Sequence, residues 1–145
     1  MIGEIRNRDI GSYNTNMQFT ILLIATFLFS CSDYTKDLSG GYFFRGEGGS
    51  INDILSYNPN QREIPSNILR YNYNKDFIIA EQKPNKTDDP LYMKNDYRFG
   101  RNKVYYWLIV HHDKQVIGPM TKQEYDSALI EYNVPKDLEL EKINE

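Results

Sequence analysis

Val104-Tyr105-Tyr106-Trp107-Leu108-Ile109-Val110 decides the fold. Side chains alternate across an extended chain. Val104, Tyr106, Leu108 and Val110 therefore share one face, and Tyr105, Trp107 and Ile109 the other. Both faces are apolar, which predicts a central strand covered on two sides.

Working outward towards the C-terminus, His111 to Lys114 turns the chain into Gln115-Val116-Ile117, and Gly118-Pro119 is expected to end that strand. Thr121-Lys122-Gln123-Glu124 then reads as a capping box, in which the Thr hydroxyl and the Glu carboxylate satisfy orphan amides at a helix start. The predicted helix runs from Lys122 to Tyr132 with Tyr125, Leu129 and Tyr132 on one stripe, and Asn133-Val134-Pro135 stops it. Residues 136–142 are read as a further helical turn before an acidic tail.

Towards the N-terminus, Ile68–Tyr73 and Phe77–Gln82 flank Asn74-Lys75-Asp76, the pattern of a β-hairpin with a three-residue turn. Residues 83–103 hold two prolines and many polar groups and read as a long loop. Tyr42-Phe43-Phe44-Arg45 is a short aromatic strand closed by Gly46-Glu47-Gly48-Gly49. Residues 51–57 fit either a strand or one helical turn, ended by Asn58-Pro59-Asn60. The fold class expected is α+β: an antiparallel sheet of about five strands with a C-terminal helix packed on it, in one domain over 41–145.

The 12 tyrosines and abundant asparagines suit half-buried strands joined by polar turns. Mean hydropathy is low at -0.64. The net charge of -3, with both signs interspersed, excludes the basic footprint of a nucleic-acid binder and any polybasic membrane segment. A single cysteine rules out an intrachain disulfide, and in an exported protein a free thiol needs a reason.

That reason lies just upstream. Phe19–Phe29 reads Phe-Thr-Ile-Leu-Leu-Ile-Ala-Thr-Phe-Leu-Phe, uncharged and without an amphipathic period. As a helix it would span roughly 16 Å, about half a hydrocarbon core, which is too short to cross a membrane. It fits the apolar region of a signal peptide. Leu28-Phe29-Ser30-Cys31 follows, and resembles the lipobox of bacterial lipoproteins: an aliphatic residue, then a small residue directly before the cysteine. Phe29 is bulkier than the usual residue at its position. The resemblance implies cleavage between Ser30 and Cys31, acylation of the Cys31 thiol with a chain such as palmitate, and usually acylation of the new amine. Residues 1–30 are then a signal peptide and 31–40 a lipidated tether. Arg6 and Arg8 are cancelled by Glu4 and Asp9, so the expected positive start is lacking; Met17 is an alternative start.

Among candidate chemistry, His111-His112-Asp113 stands out. Adjacent side chains of an extended chain point apart, so the two histidines do not share a metal, and a polar turn with exposed imidazoles is the simpler reading. Gly46-Glu47-Gly48-Gly49-Ser50 lacks the Lys-Ser/Thr of a phosphate loop. Asp88, Asp89 and Asp96 match no calcium-loop spacing and read as solvated carboxylates. No catalytic residues, metal or cofactor are expected. Tyr71 and Tyr73 share a strand face; exposed, they form a binding surface for a protein or glycan, and covered, they are core. The Tyr-rich hairpin, the Tyr-Tyr-Trp strand and Gly118-Pro119-Met120-Thr121 before a helix resemble small bacterial lipoproteins of unassigned function, a resemblance that carries no site residues with it.

The function expected is a non-enzymatic binding or interaction domain, held by lipid to the cell membrane or outer membrane and facing periplasm or exterior. Its rivals are a small envelope hydrolase using His111 or His112 as general base, and an immunity lipoprotein that shields its host from a toxin.

Overall fold

The computed structural model describes residues 34–47, 51–84 and 95–143. The signal segment with Met17, Ser30 and Cys31 lies outside the described residues, as do Gly48, Gly49, Ser50, Asp88 and Asp89. Residues 33–145 make one compact unit.

Eight strands and one helix build it. Strands β1 (Tyr34–Asp37), β2 (Tyr42–Gly46) and β3 (Asn52–Ser56) form an antiparallel meander in that order. Strands β4 (Ile68–Tyr73), β5 (Phe77–Gln82), β6 (Tyr105–Val110), β7 (Gln115–Met120) and β8 (Glu141–Lys142) form a second antiparallel sheet, ordered β7-β6-β5-β4-β8. Helix α1 (Lys122–Glu131) follows β7. The α+β class holds, with a second sheet where one was expected.

The decisive stretch explains the layering. Trp107 and Ile109 join Tyr42, Phe44 and Ile54 of the three-stranded sheet, with Ile78 and Ala80 beside them, in one core. Leu108 and Val110 join Phe77, Ile79, Tyr125 and Ala128 in a second core under the helix. The five-stranded sheet is therefore the middle of three layers, and every residue of β5 is buried. Trp107 is fully buried, so trimming a side chain of its size to Ala belongs to the class that costs about 3–5 kcal/mol.

The helix forms as its sequence dictates. Glu124 N donates to Thr121 Oγ1 at 3.3 Å and Thr121 N donates to Glu124 Oε2 at 2.8 Å, completing the capping box. Tyr125 is buried, and Leu129 and Tyr132 pack on the same core, as their stripe predicts.

Three local expectations are corrected and one open alternative is decided. Tyr34–Asp37, read as tether, pairs with β2 from Tyr34↔Gly46 to Asp37↔Phe43. Its polar and charged residues, Thr35, Lys36 and Asp37, suit an exposed edge strand as well as a linker. The ambiguous segment after Ile51 is strand β3, paired to β2 throughout. Strand β7 runs through Gly118-Pro119, because it is an edge strand where a missing amide goes unused, and its pairing shifts register between Tyr106 and Leu108. Finally, residues 141–142 are β8, opposite Arg70 and Tyr71, where a helical turn was expected.

Candidate functional site

Tyr71 lies inside the sandwich. It is 8% exposed, its ring stacks on Phe44 with centroids 4.8 Å apart, and burial first, then the charges of Tyr34 and Tyr73, pushes its hydroxyl pKa up to about 12. Tyr73 is half-buried against the same core. Lys36 Nζ sits 5.6 Å and 5.3 Å above the two rings, close enough for cation–π attraction. The three-stranded sheet thus covers the tyrosine face. Its partner is internal.

The two histidines part company within the β6–β7 turn. His112 is exposed and lies 3.1 Å from the Asp113 carboxylate. His111 turns inward, where its Nε2 and the Ser39 hydroxyl are 2.7 Å apart in a hydrogen bond. Ser39 opens the β1–β2 turn and His111 opens the β6–β7 turn, so this contact ties one sheet to the other. Gly40 makes it possible: at φ +67 its missing side chain leaves room for the imidazole, and a Cβ there would fall 2.0 Å from His111 Nδ1. Burial lowers the His111 pKa, with the Asp76 charge opposing, which favours the neutral ring. A neutral imidazole beside a hydroxyl is the minimal arrangement for drawing a proton from serine. No group of three or more His, Cys, Asp or Glu able to hold a metal occurs among the described residues.

The sequence reading missed a buried polar network. Gln82 is fully buried at the end of β5. Its Nε2 donates to the carbonyls of Pro65 (2.8 Å) and Ser66 (3.0 Å), while its Oε1 accepts from Trp107 Nε1 (2.8 Å) and Tyr97 Oη (3.2 Å). All four hydrogen-bonding capacities of the amide are used, which removes the penalty for burying it. Arg62 clamps the other side: it donates to the carbonyls of Val116 (3.1 Å) and Gly118 (2.7 Å) and to Asn95 Oδ1 (2.6 Å), 5.1 Å over the Trp107 ring. Gln82 follows Glu81 at the polar end of β5, so nothing local set it apart, and nothing in its neighbours marked Arg62. These groups saturate one another, so the network positions Trp107 and leaves no polar atom of Gln82 for a ligand.

A three-layer α+β unit whose polar side chains serve its own packing defines the class of protein. The match of residues 50–144 to the family described as a protein of unknown function (DUF3997) narrows it: the chain belongs to that family. The match takes in β3 to β8 and α1, and leaves β1, β2 and Ser39 upstream. No curated protein and no solved structure matches the chain.

Proposed function

We propose that this protein is a lipid-anchored, non-enzymatic interaction domain of a bacterial cell envelope. The observation that carries the reading is the uncharged run Phe19–Phe29 ending in Leu28-Phe29-Ser30-Cys31, directly ahead of the folded unit. One acyl chain holds a protein to a bilayer marginally and two or three hold it firmly, at about 0.8 kcal/mol per buried methylene. No helix among the described residues is long and apolar enough to cross a membrane. Binding of a protein or glycan, with no cofactor, is the activity that suits a domain whose polar network is self-satisfied. Metabolic labelling with palmitate tests the anchor: wild type incorporates label and Cys31→Ala does not.

One observation favours a second reading, a small envelope hydrolase. The Ser39–His111 pair gives the histidine predicted as general base a hydroxyl to act on. A fluorophosphonate probe decides between them. Adduct formation on Ser39, lost in Ser39→Ala and His111→Gln, establishes the hydrolase; an unmodified Ser39 after prolonged exposure removes it.

A further inference from the structure

The exposed large apolar side chains are not scattered. Seven occur among the described residues, and Tyr34, Ile51, Leu69, Phe99 and Val104 fall at one end of the sandwich, leaving Tyr57 and Ile130 elsewhere. Register fixes this. Tyr34 opposes Gly46, and Gly46 opposes Asn52, the neighbour of Ile51. Ile68 opposes Gln82, and Gln82 opposes Tyr105, so Leu69 and Val104 flank the same end of the five-stranded sheet. Phe99 N donates to Tyr105 Oη at 3.0 Å, which brings Phe99 there too. The two sheet ends meet in a recess of about 480 Å³ whose walls include Asn52, Asn67, Leu69, Arg70 and Lys142.

The charges at this end have a pattern as well. Lys83, Lys103 and Lys142 are exposed here, and none is in an ion pair among the described residues. Lys83 N donates to the Asn67 carbonyl at 3.0 Å, which places Lys83 beside the recess. Arg45 pairs with both Glu47 (2.9 Å) and Asp53 (2.7 Å) near Tyr34. Asn52 Oδ1, in the wall of the recess, is buried without a hydrogen-bond partner. The opposite end carries the Ser39-Gly40-Gly41 turn, His111 and the Asn74–Asp76 turn, and is polar.

Apolar and aromatic side chains ringed by lysines form the composition that seats in the head-group layer of an anionic bilayer. Chain connectivity selects that occupant. Only Ser32 and Asp33 separate Cys31 from Tyr34, a span of about 10 Å at full extension. A lipid on Cys31 therefore holds the Tyr34 end against the membrane, with no linker long enough to let the domain turn over. We propose that this end is a membrane-docking surface, with Tyr34, Ile51, Leu69, Phe99 and Val104 in the interfacial layer and Lys83, Lys103 and Lys142 on lipid phosphates. The Ser39–His111 end then points away from the bilayer, where a partner meets it. This rests on acylation of Cys31.

Depth-dependent quenching tests the orientation. The full-length protein is expressed in bacteria, recovered from their membranes, and reconstituted in phosphatidylethanolamine–phosphatidylglycerol vesicles containing a lipid brominated near its head group. Tyr34→Trp and Phe99→Trp report on the proposed surface and Tyr57→Trp on the opposite end; Trp107 is fully buried and gives the same background in all three. All three reporters are at exposed aromatic positions, so the exchange leaves the core intact. Quenching at least about twofold stronger for Tyr34→Trp and Phe99→Trp than for Tyr57→Trp supports the surface. Equal quenching on protein whose intact mass shows the acyl chains overturns the docking surface and leaves the anchor standing. An intact mass without acyl chains overturns the anchor, and the docking proposal with it.

Discussion

Gly118 and Gln82 show how single residues hold the layers in place. Gly118 has φ +142, a conformation that L side chains rarely adopt, and a Cβ there would lie 2.6 Å from the Trp107 ring. Its carbonyl is also an anchor for Arg62. Gly118→Ala therefore combines backbone strain with overpacking against a buried indole, and we expect a loss of about 2–4 kcal/mol in urea unfolding. A loss within about 0.5 kcal/mol of zero, the range of an ordinary surface change, would show that the strand slides freely there. Gln82 works through saturation: replacing it leaves two carbonyls, an indole N–H and a tyrosine hydroxyl to find new partners in a dry core. Gly118 was visible in the sequence as a glycine beside proline, while Gln82, next to Glu81 at a strand end, was not. Their roles depend on a Trp that lies elsewhere in the chain, and proximity of that kind leaves no local trace.

The elements divide by how local their causes are. Helix α1 was legible because a capping box is a contact between neighbours in sequence. Its Glu124 accepts from the Thr121 amide, pairs with Arg98 at 2.6 Å and bonds the Thr121 hydroxyl, and in that order of effect these hold its pKa down at about 2 against an ordinary 4.5. A depressed carboxylate pKa means that the folded state binds fewer protons than the unfolded one. The stabilisation is present above pH 4.5 and is lost as pH falls towards 2. We expect Glu124→Gln to flatten the fall in urea midpoint between pH 5 and pH 2.5 relative to wild type, roughly the window between the unfolded and folded pKa values; a parallel fall in both would remove the cap from the account. Strand β6 was legible for the same reason as the helix, since alternation is local and its two apolar faces demand two covers. Strands β1 and β8 were not. Each is a short edge piece of ordinary polar residues, held by pairing to β2 and to β4, and the sequence of such a segment is equally that of a tether or a frayed tail.

At the scale of the whole molecule, the two cores between the three layers take up the buried apolar side chains of the described residues, and five of the seven large exposed ones collect at the Tyr34 end of the sandwich. Of the two tyrosines, read as core if covered and as a binding surface if exposed, Tyr71 is core and Tyr73 is half-buried beneath a second sheet, and the strand count in the sequence did not separate one sheet from two. His111 was legible as a polar residue at a turn, while its Ser39 partner, 72 positions away, was not. The proposed address of the protein stands on different ground, a short motif whose chemistry is read directly from residue types. Palmitate labelling of cells expressing wild type or Cys31→Ala addresses it most directly. The account predicts label on wild type, absent from Cys31→Ala, together with a faster-migrating wild-type band as residues 1–30 are removed. Equal labelling of the two proteins, or label on neither, would contradict it.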